Sequence, residues 1–151
     1  MSFIGQMSAK LDVKNRVFFP AGFRRVLQEV NEKRLVVRKD IFENCLVVYP
    51  ENQWRIEVEN VRSRLSRFDA TQQKVYRKLV SEAQEISLDS SGRILLSRNM
   101  LDKVGIDQDV IFVGMEQTVE IWAATLNAEE KCEPFMTDKE FADSIKKLMS
   151  E

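Results

Sequence analysis

The chain contains no histidine, the residue that most often transfers protons and binds zinc in proteins. Its 151 residues include two cysteines, Cys45 and Cys132, which have neither a metal-ligand spacing nor a companion histidine. The five glycines form no phosphate-cradling loop, and no paired carboxylates stand in a recognisable catalytic setting. We therefore expect no catalytic residue, no metal and no cofactor, and we predict that the protein is not an enzyme.

Long hydrophobic runs are also missing. No apolar segment approaches the roughly 18 residues that a membrane-spanning helix needs. The first ten residues, MSFIGQMSAK, lack the charged and apolar regions of a signal peptide. A hydrophobic fraction of 44% is nevertheless sufficient for a core. These features predict a globular cytoplasmic protein without a membrane partner.

Charge is unevenly distributed, although the formal net charge is only −1. Residues 1–25 contain five basic residues and one acid, a net charge of +4. From Asp107 to the end, eleven acids and four lysines give −7. One face can therefore attract phosphate while another repels it, so the small total charge does not exclude DNA binding.

The sequence repeats itself at an offset of 77 residues. LDVKNRVFFP at 11–20 matches LDSSGRILLS at 88–97, and further on RLVVRK matches DVIFVG and CLVVYP matches TVEIWA. Each half predicts a strand, a polar turn, a second strand, a brief helix and two more strands. We place the brief helices at 21–30 and at 98–104, the second stopped by Gly105.

The segment between the halves has helical periodicity. Its first apolar stripe predicts a helix packed against the core or a neighbouring subunit rather than a ligand groove, and consists of Trp54, Val58, Val61, Leu65 and Phe68. Asp69 and Gln72 then form a capping-box pattern at the start of a second helix. The inner side of that second helix consists of Val75, Leu79 and Ala83.

The C-terminal segment predicts one more helix. Thr137 and Glu140 have the capping-box spacing, and Met136 with Phe141 would form a hydrophobic staple. Phe141, Ile145 and Leu148 mark its apolar face. Pro134 and the acidic residues before it indicate a hinge.

Neither repeated half is large enough to hold a stable core alone, since each has only about 45 residues. We therefore predict an α+β protein in which two tandem hairpin units form one small barrel with a pseudo-two-fold axis. A helical hairpin lies between the units, and a helix follows them. The expected boundaries are 1–53 for the first half, 54–84 for the helical hairpin, 85–127 for the second half and 128–151 for the acidic linker and final helix.

Each repeated turn has an aspartate before it and an arginine after it. A structural interpretation is available, because aspartate commonly accepts hydrogen bonds from turn N–H groups and arginine can pair across a hairpin. Duplication favours a second interpretation, a surface for a repetitive anion such as the DNA backbone. Asp12 and Asp89 would orient the turns. The candidate DNA-binding residues are Lys14, Asn15, Arg16, Arg24 and Arg25 in the first half, and Arg93 and Arg98 in the second.

These residues carry a family resemblance that extends to about residue 127. LDVKNRVFFPAGFR and LDSSGRILLSRNML, followed by CLVVYPENQW and VEIWAATLN, resemble the two halves of the MraZ family. The resemblance implies paired AbrB-like domains of the swapped-hairpin type, with the Asp-x-x-x-Arg turns on a face that binds double-stranded DNA. It further implies a homo-oligomeric ring, associated with the nucleoid, that represses its own operon of division and cell-wall genes by binding short upstream direct repeats.

Three positions depart from the family pattern. Asn15 replaces a common glycine, Ser97 replaces a common proline, and Ser91 stands at a position that is often basic. The second turn is thus less basic than the first. We expect the first half to dominate phosphate contact, and we keep an antitoxin-like protein-interaction module as the alternative function.

Overall fold

The computed structural model describes residues 1–124 and 134–150. Cys132 and most of the expected acidic linker therefore lie outside the described residues. No helix of the described part is long and apolar enough to cross a membrane.

The described chain alternates short strands with helices, which confirms the predicted α+β class. The first half contains β1 (Gln6–Lys10), β2 (Arg16–Phe18), α1 (Ala21–Glu29), β3 (Arg34–Lys39) and β4 (Leu46–Pro50). Two helices follow, α2 (Glu51–Arg62) and α3 (Ala70–Ser81). The second half repeats the order of the first, with β5 (Gln84–Ser87), β6 (Arg93–Leu95), α4 (Arg98–Lys103), β7 (Asp109–Gly114) and β8 (Val119–Ala123). The last described helix is α5 (Asp138–Met149).

Strand pairing joins the two halves. Six antiparallel strands follow the order β1-β7-β8-β4-β3-β5, and β2 pairs with β6 in a separate two-stranded ribbon. When equivalent strands of the two halves are exchanged, the same six-stranded order results, read from the other edge of the sheet. The first strand of each half pairs in the other half: Met7 lies opposite Phe112, and Ile86 lies opposite Leu35.

The main core is shared by both halves. Val17 and Ile94 lie opposite each other in the ribbon, and both are buried. Phe19 of the first half meets Phe112 of the second edge to face, with ring centroids 5.7 Å apart. Because aromatic rings bury large apolar areas, this contact stabilises the two halves as a unit.

A second apolar cluster lies on the other side of the sheet. It contains Cys45, Tyr49 and Trp122, and Trp54 of α2 packs on Tyr49 with ring centroids 5.2 Å apart. Cys45 is fully buried, and burial raises the pKa of its thiol above the ordinary range. A buried thiol of this kind is a packing residue rather than a nucleophile.

The structure corrects the first helix of the central hairpin. The apolar stripe predicts a helix from Trp54 as far as Phe68, but α2 begins at Glu51 and ends at Arg62. No residue of α2 is fully buried, and Phe68 lies in a turn with 96% of its surface exposed. The apolar spacing of the stripe continues beyond residue 62, although the helix has already ended there.

The second helix begins where the sequence predicts. The Asp69 carboxylate accepts a hydrogen bond from the backbone N–H of Gln72, but the Gln72 side chain accepts from Ser66 instead of completing the capping box. Only Leu79 is buried on α3, and Val75 is half exposed, contrary to prediction. The buried Arg38 side chain donates to the Leu79 carbonyl at 3.2 Å and so attaches α3 to the sheet.

Helix α5 is also capped as predicted, since Thr137 Oγ1 accepts from the Glu140 backbone N–H at 3.2 Å. The predicted staple does not form a covered contact, because Met136 and Phe141 are both more than half exposed. Ile145 and Leu148 on the same helix are exposed as well.

Candidate functional site

The first turn is organised by one carboxylate. Asp12 Oδ1 accepts hydrogen bonds from the backbone N–H groups of Lys14 and Arg16, both at 2.9 Å. Asp12 Oδ2 accepts from Arg16 Nε at 2.8 Å. The Asp12 backbone N–H donates to the Arg16 carbonyl, which closes the hairpin. The aspartate thus fixes both the backbone of the turn and the direction of the arginine.

The second turn reproduces these contacts. Asp89 Oδ1 accepts from the backbone N–H groups of Ser91 and Arg93 at 2.9 Å, and Asp89 Oδ2 accepts from Arg93 Nε at 2.9 Å. Asn15 and Gly92 occupy equivalent positions with φ of 63° and 86°. Glycine adopts this left-handed region freely, and asparagine tolerates it better than most residues. The two turns therefore have one geometry despite their different sequences.

The hydrogen bonds also keep both carboxylates ionised. The N–H donated by the Arg16 backbone lowers the pKa of Asp12 below its ordinary value, and the Arg93 backbone N–H does the same for Asp89. Hydrogen bonds to a charged form favour that form. Each turn consequently keeps its aspartate–arginine ion pair to a lower pH than an aspartate with the ordinary pKa would allow.

We expect Asp12→Ala to lower stability at neutral pH and to lose this effect in acid. A lowered folded-state pKa contributes stability that is present above the unfolded pKa, about 3.9, and is lost as pH falls through the folded value. Urea midpoints of the wild type and the variant should differ by a constant amount above about pH 5 and should approach each other as the pH falls below about 3.9, through the lowered pKa of the folded state. Asp12→Asn, which keeps one acceptor oxygen, should be intermediate. A difference that stays the same at every pH would contradict the ionic role.

The β2–β6 ribbon brings the turns together. Alternate residues of a strand share a face, and the core side of the ribbon holds Val17 and Ile94. The opposite side of the ribbon carries two arginines, Arg16 and Arg93, and two exposed apolar residues, Phe18 and Leu95. We call this side, together with turns 12–16 and 89–93, the turn face. Antiparallel pairing places Arg16 opposite Leu95 and Phe18 opposite Arg93.

Contacts link the two halves across the turn face. Arg93 Nη1 lies 3.8 Å from Asp12 Oδ2, so Arg93 faces the aspartates of both turns. Its guanidinium also lies 5.9 Å from the centre of the Phe18 ring, a cation–π distance. Arg16 has one ion-pair partner among the described residues, Asp12, and its terminal nitrogens make no hydrogen bond there. Arg16 is the freer of the two forks.

The remaining candidates lie in two settings. Lys14 and Arg25 are exposed on the first turn and on α1. Arg24 is half buried beside Gly92 of the second turn, and Arg98 reaches from α4 to Asn15 of the first. The structure therefore brings every predicted site residue close to one of the two turns or onto the adjoining helix.

Phe18 and Leu95 are not among the site residues that the sequence predicts. They are equivalent at the repeat offset, and more than half of each side chain is exposed. The sequence does carry a signal for them, since an apolar residue stands two positions after the arginine of each turn. On a strand, that spacing places it on the same face as the arginine. Their exposure on the turn face makes them candidates for contact with whatever binds there.

Comparison with known proteins gives consistent matches. The family model described as "MraZ protein, putative antitoxin-like" matches residues 2–78 and 79–131. A Bacteroides fragilis protein named transcriptional regulator MraZ is 42% identical over 99% of this chain and 92% of its own length. Proteins of the same name from Bacteroides thetaiotaomicron and Shewanella oneidensis are 38% and 33% identical, over 99% and 94% of this chain and 93% and 94% of their own lengths.

Proposed function

Because the chain belongs to the MraZ family and is a transcriptional regulator rather than an enzyme, we propose that it is a sequence-specific DNA-binding repressor. Its targets are short direct repeats upstream of its own operon of division and cell-wall genes. It acts in the cytoplasm at the nucleoid. The duplicated turn face is the observation that carries this proposal.

The turn face has the chemistry to bind a duplex. Arg16 and Arg93 each use Nε for an aspartate, which leaves the outer nitrogens of a planar fork oriented by the turn. Such a fork can bond two phosphate oxygens or the O6 and N7 atoms of guanine. Lys14 adds exposed positive charge on the first turn, and Arg25 adds it on helix α1. Asn15 places its backbone at the tip of the same turn.

Exposed apolar residues add a second type of contact. Phe18 and Leu95 alternate with the arginines along the ribbon, and a two-stranded ribbon fits the major groove of B-DNA. Apolar side chains there can contact the C5-methyl group of thymine. We assign charge-based positioning to the arginines and part of the sequence preference to this apolar pair.

The proposed assembly is a homo-oligomeric ring of swapped-hairpin barrels. Exchange of β1 and β5 between the halves supports one pseudo-two-fold barrel per chain, formed by AbrB-like halves 1–53 and 85–127 around the hairpin 54–84. A single turn face offers few contacts, so several subunits must bind several repeats together for high affinity.

A second candidate function is an antitoxin-like module whose main partner is another protein. The exposed apolar side of α5 favours this function, because an apolar stripe on a helix normally packs against another surface. A protein partner bound to α5 would not require the turn face.

DNA binding to a labelled duplex from directly upstream of the gene tests the proposal. Anisotropy titrations should show tighter binding to this duplex than to a shuffled duplex of equal length and composition. The affinity should also fall steeply with salt, by about 0.9 log unit per phosphate contact for each log unit of salt. Equal affinity for both duplexes, or no binding, would reject the repressor and favour the protein-partner function.

A further inference from the structure

The turns are held by the opposite half of the chain. The backbone N–H of Phe19 donates to the Gly92 carbonyl, and the N–H of Leu96 donates to the Asn15 carbonyl, both at 3.0 Å. Phe19 and Leu96 are equivalent at the repeat offset, as are Asn15 and Gly92. Each left-handed turn residue is thus fixed by the segment that leads into the other half's helix.

Arg98 strengthens the hold on the first turn. Its Nη2 donates to Asn15 Oδ1 at 2.6 Å, and its Nη1 donates to the Ile106 carbonyl at 3.0 Å. The Asp107 carbonyl accepts from Nη2 at 3.3 Å, and the Asp102 carboxylate lies 3.6 Å from Nη1. Both terminal nitrogens therefore have protein partners, although 43% of the side chain is exposed.

Arg24 contacts the second turn, although it does not align with Arg98 at the repeat offset. A Cβ atom built on Gly92 would lie 2.1 Å from Arg24 Nη1, so the guanidinium rests directly on the glycine backbone. Arg24 Nε is buried and has no hydrogen-bond partner among the residues that the structure describes. Because Gly92 has no side chain to bond, contact with this turn is made by packing alone.

We propose that Arg98 and Arg24 brace the turn of the opposite half, and that Arg98 is a positioning residue that does not bind DNA through its own charge. The proposal rests on the DNA-binding function proposed for the turn face. An arginine whose fork already bonds protein oxygens would have to break those bonds to contact a phosphate. Arg98, with its direct bond to Asn15, carries the stronger brace.

The brace gives a reason for asparagine at the first turn. Glycine would allow the same φ at position 15 but would offer no acceptor to Arg98. Asn15 combines tolerance of the left-handed region with the Oδ1 atom that the arginine bonds. Asn15→Gly therefore removes the bond and keeps the backbone conformation available.

A double-mutant cycle on Asn15→Gly and Arg98→Ala tests the brace with the upstream duplex as probe. Each single variant should lower the affinity about threefold to tenfold, and the double variant should lose little more than either single one. The slope of log affinity against log salt should stay at the wild-type value, because no phosphate contact is removed. Arg77→Ala, a change of an exposed arginine on α3, serves as the matched control.

Other outcomes overturn the brace. A smaller salt slope with additive losses would make Arg98 a phosphate contact, and unchanged affinity in folded variants would make it a purely structural residue. The same cycle measured by urea unfolding needs no DNA, and there the midpoint losses should also be less than additive. If the wild-type protein does not bind the duplex but the urea midpoint losses are less than additive, the proposed DNA-binding function is wrong and the contact between Arg98 and the turn stands. Additive midpoint losses would reject the brace itself.

Discussion

Arg16→Ala should weaken binding to the upstream duplex by about 5- to 150-fold, the range expected for loss of a two-pronged arginine contact. Arg93→Ala should cost less. Arg93 has the Asp12 and Asp89 carboxylates and the Phe18 ring as partners, whereas Arg16 has Asp12 alone as an ion-pair partner among the described residues. Exposed Lys14 adds positive charge beside Arg16, while the equivalent position of the second turn is Ser91.

Titrations of the two variants against the same labelled duplex provide the measurement, with unchanged urea midpoints as the check on folding. Arg77→Ala removes the same charge from α3, outside the turn face, and this variant should bind as the wild type does. Equal losses for Arg16→Ala and Arg93→Ala would contradict the dominance of the first turn, even if both values fall within the expected range.

Phe112→Ala should lower the free energy of unfolding by about 3–5 kcal/mol, as is typical for removal of a buried aromatic ring. Phe112 is fully buried and packs edge to face on Phe19 of the other half. The cavity therefore opens at the junction of the halves, and both should be destabilised together. Urea unfolding followed by tryptophan fluorescence and by circular dichroism should show one coincident transition.

Phe68→Ala is the matched control for this substitution. Its side chain is 96% exposed, so the change should alter stability by no more than about 0.5 kcal/mol. Two separated transitions in Phe112→Ala, or in the wild type, would show that the halves hold independent cores and would contradict the shared one.

Local signals in the sequence predicted most of the elements. The repeat at an offset of 77 gave the same order of strands and helices in both halves, and Asp69 and Thr137 cap the helices that follow them. Such features depend on a few neighbouring residues, so they can be read without knowing the fold. The class of protein followed from the repeated turns together with the family resemblance.

Long-range pairing could not be read in the same way. A short strand such as β1 has the same alternating pattern whichever half it joins, and its partner β7 is about a hundred residues away. The stripe that ends at Phe68 failed for a related reason, since helical spacing does not reveal where a helix stops. The hydrogen bond between Arg98 and Asn15 forms because the β2–β6 ribbon places the first turn beside α4, and the local sequence does not reveal that pairing.

The salt dependence of the Arg16→Ala, Arg93→Ala double variant tests the turn face most directly. Replacing both arginines should reduce the slope of log affinity against log salt by about 0.9 for each phosphate contact that is lost, and should remove the preference for the upstream duplex over the shuffled one. A double variant that folds as the wild type does and keeps both the slope and the preference would show that DNA is bound elsewhere.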